Sequence, residues 1–263
     1  MEHGPPSFEV IILGSGTCVP SLARSPCAVL LRIQKELFLL DCGPGTMRRL
    51  LEAGFSVFDI TQLGISHLHP DHSGELVSFL FANKYPSPAR REQALTLIGG
   101  CGFTDFFSQL QGIYGEWIDL AGGLELLESE SSGTGEKSFS GFRLCTAPVN
   151  HRPESIAFRI AGPGGKTLVY SGDTDYCENL IRLAEHADLL ICEAALPEGQ
   201  KAEGHLTPSL AGEIAARAGV RHLVLTHFYP PCDQADIAGQ CRKTYSGPLI
   251  LAQDLLRFSM DGL

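Results

Sequence analysis

The sequence lacks several features that would assign a protein to a class directly. It has no apolar run near the roughly 18 to 20 residues that cross a bilayer. Its nine cysteines are dispersed, are odd in number and form no C-x-x-C pair. This pattern favours reduced thiols over a disulfide framework or a cysteine-bound zinc. The first residues also lack a basic flank followed by an apolar core, so we expect a cytoplasmic protein with no membrane partner.

Positive charge is also scarce. The 20 Lys and Arg residues stand against 30 Asp and Glu, which gives a net charge of −10. Such a charge repels polyanions, so any contact with nucleic acid requires a local basic patch. Arg152 is the first candidate to meet a phosphate because it adjoins His151, a potential metal ligand. The other candidate cations are Arg24, Arg48, Arg49, Lys84, Arg90 and Arg91.

What the chain does have is enough apolar sequence for one large domain. It contains 263 residues, of which 44% are hydrophobic, and we predict a single domain over residues 1–263. Short apolar runs typical of buried strands alternate with helical patterns, which predicts an α/β fold with helices outside two packed sheets. The polar segment 129–140 is predicted to be a surface turn or hairpin tip. We predict strands at 8–16, 27–33, 36–43, 63–67, 141–149, 155–160, 166–173, 188–196 and 222–228, and helices at 45–53, 73–85, 176–186 and 208–218.

The most informative string is His67-Leu68-His69-Pro70-Asp71-His72, which lies between an apolar strand and an amphipathic helix. In an extended segment, residues two apart share a side, so His67, His69 and Asp71 can converge. A turn into the helix then directs His72 towards a second centre. Histidine and aspartate at this spacing are typical metal ligands, and the pattern is far more specific than a lone histidine.

Two zinc ions need about four ligands each, so the hexapeptide must be supplemented from elsewhere. His151, Asp173 and His227 each follow an apolar strand-like run. Strands of one sheet deliver such side chains to a common edge, so we expect these three to complete a site for two metal ions.

The HLHPDH string, followed in order by His151, Ser171-Gly172-Asp173 and Thr226-His227-Phe228, resembles the metallo-β-lactamase superfamily over essentially the whole chain. The resemblance implies a four-layer αββα sandwich, the metallo-β-lactamase fold. It also implies two divalent metal ions, zinc first, with manganese or iron as alternatives. The implied ligands are His67, His69 and His151 for the first ion, and Asp71, His72 and His227 for the second, with Asp173 and a water or hydroxide bridging both.

Further strings resemble the ribonuclease Z-like group of this superfamily and therefore favour phosphodiester chemistry. In that group, the histidine matching His205 faces the phosphate and is not a ligand, while Asp41 supports the metal-binding loops. Asp71 and His205 are thus the implied catalytic residues: Asp71 orients or deprotonates the nucleophile, and His205 stabilises the departing oxygen. The strings are Leu13-Gly14-Ser15-Gly16-Thr17, Leu40-Asp41-Cys42-Gly43-Pro44-Gly45-Thr46, Glu193-Ala194-Ala195 and Gly204-His205-Leu206-Thr207-Pro208.

One departure from the ribonuclease Z pattern concerns the arm that grips tRNA, which normally lies between the third metal histidine and the bridging aspartate. Here Asp173 follows His151 by only 22 residues, which leaves no room for the arm. We therefore predict a dinuclear hydrolase of small or nucleotide-type phosphodiesters. The alternatives are a tRNA 3′-processing endoribonuclease, a lactonase or thioesterase, and a metal-binding scaffold without turnover; homodimer formation is left open.

Overall fold

Apolar residues alternate between the two faces of the first strand, β1 (Phe8–Gly14). Val10 and Ile12 face a core shared with a second sheet, whereas Ile11 and Leu13 belong to a separate apolar cluster beneath helices. A strand with both faces buried must lie inside a layered structure. The computed structural model describes residues 7–84, 91, 93–120, 123–129 and 135–263.

The described residues form two sheets. The further strands are β2 (Ala28–Ile33), β3 (Glu36–Leu40), β4 (Gln62–Gly64), β5 (Leu95–Gly99), β6 (Leu124–Glu128), β7 (Gly135–Phe139), β8 (Phe142–Pro148), β9 (Ile156–Ala161), β10 (Thr167–Tyr170), β11 (Leu189–Glu193), β12 (His222–Thr226), β13 (Leu249–Leu251) and β14 (Leu256–Ser259). The first sheet has the order β14-β1-β2-β3-β4-β5-β6, and the second has the order β13-β12-β11-β10-β9-β8-β7.

Helices cover the outer face of each sheet. Those described are α1 (Thr46–Glu52), α2 (Pro70–Ser73), α3 (Leu76–Lys84), α4 (Phe103–Tyr114), α5 (Glu178–Leu183), α6 (Pro208–Arg217) and α7 (Ile237–Cys241). Helices α1 and α4 contact the first sheet, while α5 and α6 contact the second. The layers run helix, sheet, sheet, helix, which confirms the predicted αββα sandwich. Within the described residues, no helix is long and apolar enough to cross a membrane.

Strand direction determines where the site lies. Strands β3, β4 and β5 are parallel neighbours in the first sheet, as are β10, β11 and β12 in the second. The segments that follow parallel neighbours emerge along one edge of a sheet. Strand β8 runs in the same direction as β10, because both are antiparallel to β9. The residues at the ends of β3, β4, β8, β10, β11 and β12 can therefore meet across the sandwich.

Two local predictions need correction. Residues 135–139 of the predicted turn form β7, an edge strand whose central side chains are exposed; residues 130–134 lie outside the described residues. A polar strand is compatible with an edge because one side meets water. The predicted helix 73–85 is interrupted at Gly74 and Glu75, and α3 begins at Leu76. Its buried face includes Phe79, while Phe81 of the predicted stripe is exposed.

Candidate metal centre

The HLHPDH string changes conformation in its middle. His67 and His69 lie in the extended segment after β4, and His69 is the N-cap of α2 with φ −58° and ψ 144°. Pro70 opens the helix, a position where the absent N–H is no loss. Asp71 is already helical, so the prediction that it converges with His67 and His69 by strand alternation was wrong. It groups instead with His72 and His227.

The Asp71 group contains a near-equilateral arrangement of donor atoms. Nε2 of His72 lies 3.3 Å from Nε2 of His227, and both nitrogens lie 3.3 Å from Oδ1 of Asp173. The Oδ2 atom of Asp71 is 3.8 Å from His72 Nε2 and 3.7 Å from His227 Nε2. Three donor atoms, from His72, His227 and Asp173, thus lie 3.3 Å from one another, and Asp71 Oδ2 lies beside the two imidazole nitrogens.

A second group surrounds the other carboxylate oxygen of Asp173. His69 Nδ1 and His151 Nε2 are 3.2 Å apart. Oδ2 of Asp173 is 3.7 Å from His67 Nε2 and 4.0 Å from His151 Nε2. The donor atoms of this group lie within 4.8 Å of one another. Asp173 therefore presents one oxygen to each group.

These groups fit divalent metal ions. Ligands bound tetrahedrally to zinc at about 2.0 to 2.1 Å are separated by about 3.3 to 3.4 Å, and the shortest separations in both groups are close to this value. The buried Nε2 atom of His67 has no hydrogen-bond partner. Among the described residues, Asp71 and Asp173 pair with no lysine or arginine. Two buried carboxylates and a buried imidazole nitrogen without a partner are donors that a divalent cation satisfies.

Hydrogen bonds behind the histidines orient the rings. His72 Nδ1 donates to Asp41 Oδ2 at 2.7 Å, and His151 Nδ1 donates to the carbonyl oxygen of Gly204 at 2.8 Å. A proton held on Nδ1 leaves Nε2 with the lone pair that binds a metal. Burial also lowers the pKa of His67 to about 2, so its imidazole is neutral at ordinary pH.

Asp41 connects the two sheets at the site. Its fully buried carboxylate also accepts hydrogen bonds from Tyr170 Oη at 2.6 Å and from the backbone N–H and hydroxyl of Ser66 at 2.7 and 2.9 Å. Asp41 has φ +62°, and His227 has φ +61°. Non-glycine residues seldom adopt this region, and such strain is concentrated at functional sites.

His205 lies beside Oδ2 of Asp173, the oxygen that faces His67 and His151, but its Nδ1 is engaged elsewhere. That atom is 3.0 Å from Glu193 Oε1 and 3.9 Å from Asp173 Oδ2. Burial acts to lower the pKa of His205, but the hydrogen bond to Glu193 and the charge of that carboxylate outweigh burial and raise the pKa to about 9. The imidazole is therefore a proton donor at neutral pH.

Sequence reasoning assigned no role to Glu193 or Tyr170, although each is a polar residue at the end of an apolar strand. Glu193 Oε1 also accepts the backbone N–H of Thr174 at 2.7 Å, and its Oε2 accepts that of Leu206 at 3.1 Å. It thus ties the Asp173 loop to the His205 loop. The sequence did carry a signal for Glu193, because it is an acidic residue at the end of the apolar run LLICE. A carboxylate in a buried strand needs several hydrogen-bond donors around it.

Most of the predicted basic residues have partners within the protein. Arg91 is buried and donates to Asn83 and to backbone carbonyls. Arg49 pairs with Glu52 and Asp254, and Arg24 pairs with Asp233. Arg48 also pairs with Glu52, while Lys84 donates to the carbonyl of Glu116. Arg152 is exposed beside His151, and Arg90 lies outside the described residues.

Comparison with known proteins places the chain in a family. The family model described as Beta-lactamase superfamily domain matches residues 37–228, and the chain belongs to this superfamily. Ribonuclease Z of Methanothermobacter thermautotrophicus is 27% identical over 300 residues, which cover 95% of each chain. Because that alignment is longer than the 263 residues of this chain, the relative carries segments that are missing here.

Solved structures agree with this assignment. The short form of human tRNase Z superposes with a TM-score of 0.80 at 26% identity and covers 96% of this chain and 99% of its own. The metallo-β-lactamase fold protein YhfI from Bacillus subtilis has a TM-score of 0.82 at 22% identity, over 97% of this chain and 99% of its own; this likeness concerns the fold. The protein is a metal-dependent hydrolase of the phosphodiesterase-like class.

Proposed function

We propose that the protein is a dinuclear phosphodiesterase acting on small or nucleotide-type diesters. The observation that carries the proposal is the division of Asp173, whose two carboxylate oxygens face two separate groups of donors. In this proposal His67, His69 and His151 hold one ion, Asp71, His72 and His227 hold the other, and Asp173 is shared. The donor set of histidine and carboxylate suits zinc first, with manganese or iron as alternatives.

When bound, the two ions would lower the pKa of a water so that it can give up a proton at neutral pH, and they would neutralise charge on the phosphoryl oxygens. Asp71 orients the attacking water and accepts its proton, since its carboxylate faces the same cluster as His72 and His227. His205 acts at the bond between phosphorus and the leaving oxygen. Its Nδ1 donates to Glu193, so Nε2 is the atom that gives a proton to the leaving oxygen. Glu193 keeps His205 protonated and holds its ring in place.

Two observations support a small substrate. The interval between His151 and Asp173 is a plain hairpin of β9 and β10 joined by the short turn Pro163–Gly165. Arg152 is exposed and lies next to the proposed ligand His151. Three other arginines that the sequence suggested as phosphate contacts, Arg24, Arg49 and Arg91, are bound to partners within the protein. One or two phosphates suit such a surface better than a long polyanion.

Processing of tRNA 3′ ends is the second candidate, and the relatives favour it. Ribonuclease Z of Methanothermobacter thermautotrophicus and human tRNase Z align with nearly the whole chain. A contact surface built from other residues would then have to replace the arm.

Salt dependence separates the two candidates. We would load the protein with zinc and measure kcat/KM on bis(p-nitrophenyl) phosphate, a cyclic nucleotide, a pre-tRNA and an acyl lactone at two salt concentrations. A small diester makes few phosphate contacts, so its kcat/KM is expected to change less than about 2-fold between roughly 50 and 200 mM salt. A protein gripping RNA through 6 to 10 phosphates would lose about 10³- to 10⁵-fold over that range.

Efficient cleavage of pre-tRNA with a steep loss in salt would replace the proposal with the second candidate. Hydrolysis of the lactone without hydrolysis of any diester would contradict both. The matched control is His205→Ala, which should lower diester turnover by about 10²-fold or more and thereby exclude a contaminating hydrolase.

A further inference from the structure

Tyr229 is an aromatic residue at the site to which the proposed chemistry gives no role. Its ring centroid is 6.2 Å from that of His205 and 6.0 Å from that of His227, with interplanar angles of 75° and 84°. The two imidazoles are themselves nearly parallel, 5.6 Å apart at 17°. The phenol ring therefore stands across the edge of the site, beside the proposed proton donor, and neither imidazole stacks parallel on it.

Tyr229 is half-buried, whereas its neighbour Phe228 is 2% exposed and packs in the core. The guanidinium of Arg24 lies over the Phe228 ring at 4.8 Å. Phe228 is therefore the aromatic residue of this segment that packs in the core. A large ring left partly in water next to a proposed catalytic residue is available for a ligand.

The position of Tyr229 is rigid. Its backbone N–H donates to the carbonyl of Ala195 at 3.0 Å, and its hydroxyl lies 3.5 Å from the Cys18 sulfur. The next residues form the turn Pro230–Gln234, in which Cys232 Sγ contacts the same Ala195 carbonyl at 3.2 Å. Two consecutive prolines limit the backbone further. A ring held in advance costs little conformational entropy when a ligand stacks on it.

We propose that Tyr229 is a stacking platform for a planar base or aryl group joined to the scissile phosphate, on the side where His205 protonates the leaving oxygen. The preferred substrates are then diesters that carry an aromatic ring beside the phosphorus. This inference rests on the proposed function and narrows its substrate class. Stacking of a base on an aromatic side chain contributes about 1–3 kcal/mol and tolerates different bases.

The test compares two ligands, one with an adenine base on the ribose and one with a hydroxyl in its place. Calorimetric titration of the zinc-loaded protein with AMP and with ribose 5-phosphate measures both dissociation constants without turnover. We expect AMP to bind about 10-fold tighter or more. Tyr229→Leu should reduce this preference to within about 2-fold, and Tyr229→Phe should retain it, because the platform needs the ring and not the hydroxyl.

Tyr176→Leu is the matched control. Tyr176 is also half-buried, but its ring faces the guanidinium of Arg217 at 5.9 Å and its hydroxyl bonds Glu213 at 2.8 Å. The preference for AMP should survive in this variant. A second readout needs no variant: 2-aminopurine riboside 5′-monophosphate should lose fluorescence when it stacks on the wild-type protein.

Equal binding of AMP and ribose 5-phosphate to the wild type, or an undiminished preference in Tyr229→Leu, would overturn the inference. Hydrolysis of bis(p-nitrophenyl) phosphate is measured on the same samples. If diesters are hydrolysed but the ring gives no preference, only the platform is wrong. If the preference is present but no diester is hydrolysed, the proposed function is wrong.

Discussion

Substitution of Asp41 tests whether hydrogen bonds behind the ligand histidines fix their tautomer and orientation for metal binding. Its Oδ2 accepts from His72 Nδ1 at 2.7 Å and from Tyr170 Oη at 2.6 Å, while its Oδ1 accepts the backbone N–H of Ser66 at 2.7 Å. Asp41→Asn preserves the shape, and asparagine tolerates the φ of +62° at this position. The substitution replaces one acceptor oxygen with an NH₂ donor.

Either orientation of the new amide creates a conflict. If the NH₂ faces Ser66, two N–H groups meet in a buried site, which costs about 1–3 kcal/mol of folding free energy. If it faces His72, the imidazole must accept at Nδ1 and carry its proton on Nε2, the atom that faces His227. That tautomer cannot bind a metal there. Loss of such an outer partner typically weakens metal affinity about 10- to 100-fold, equivalent to about 1.4 to 2.7 kcal/mol.

Competition with a chromophoric chelator measures this effect. We expect Asp41→Asn to weaken one zinc site by this factor and to change the other less, and Tyr170→Phe to have a smaller effect because it leaves the His72 bond intact. The matched control is Asp188→Asn, since Asp188 accepts the backbone N–H of Thr167 at 2.8 Å at the start of β11, remote from the site. Unchanged zinc affinity in Asp41→Asn, or an equal loss in Asp188→Asn, would refute the reasoning.

Four further substitutions test the assigned roles. His205→Ala should keep both metal ions but lower kcat by about 10²-fold or more; loss of metal from this variant, seen by metal analysis, would make His205 a ligand. Asp173→Ala should lower the metal content of both groups together, whereas His72→Ala should weaken mainly the group of Asp71, His72 and His227; a single lost ion in Asp173→Ala would contradict a shared carboxylate. Because the pKa of His205 is raised from 6.5 to about 9, its protonated form persists below that value and activity should fall as pH rises through it. Glu193→Gln removes the main cause of the rise, so the alkaline limb of the pH profile should move to lower pH; an unmoved limb would assign it to another group.

Residues at strand ends were predictable because apolar runs mark where each strand stops. His151, Asp173 and His227 all lie just past such runs and meet at one edge of the sandwich. The grouping of Asp71 was not predictable from alternation, because the backbone becomes helical at Pro70. The left-handed backbone at Asp41 and His227 also leaves no local signal in the sequence. Both conformations depend on partners distant along the chain, such as Tyr170 for Asp41.

The fold shows the same division between local and distant information. Strand β14 forms by pairing with β1, and Glu9 opposes Ser259, so nothing near Ser259 predicts it. Helix α4 was not predicted, although Phe103, Phe106, Phe107 and Leu110 lie at the i, i+3, i+4 and i+7 spacing of an amphipathic helix and pack against the core. Strand β5, which has five residues and directly precedes α4, was also not predicted. Short strands such as β5 and β14 are stabilised by tertiary packing rather than by a sequence pattern of their own.

Each donor group in the metal centre draws on both sheets. His67 and His69 follow β4 of the first sheet but face His151 and Asp173 from the second. Asp71 and His72 likewise face His227, which follows β12. An ion bound by either group would act as a cross-link between the two halves of the sandwich, at the edge where the strands end. Metal loading should therefore hold the halves together mechanically, and chelation should make amide hydrogens at this edge exchange before those in the centre of the sheets.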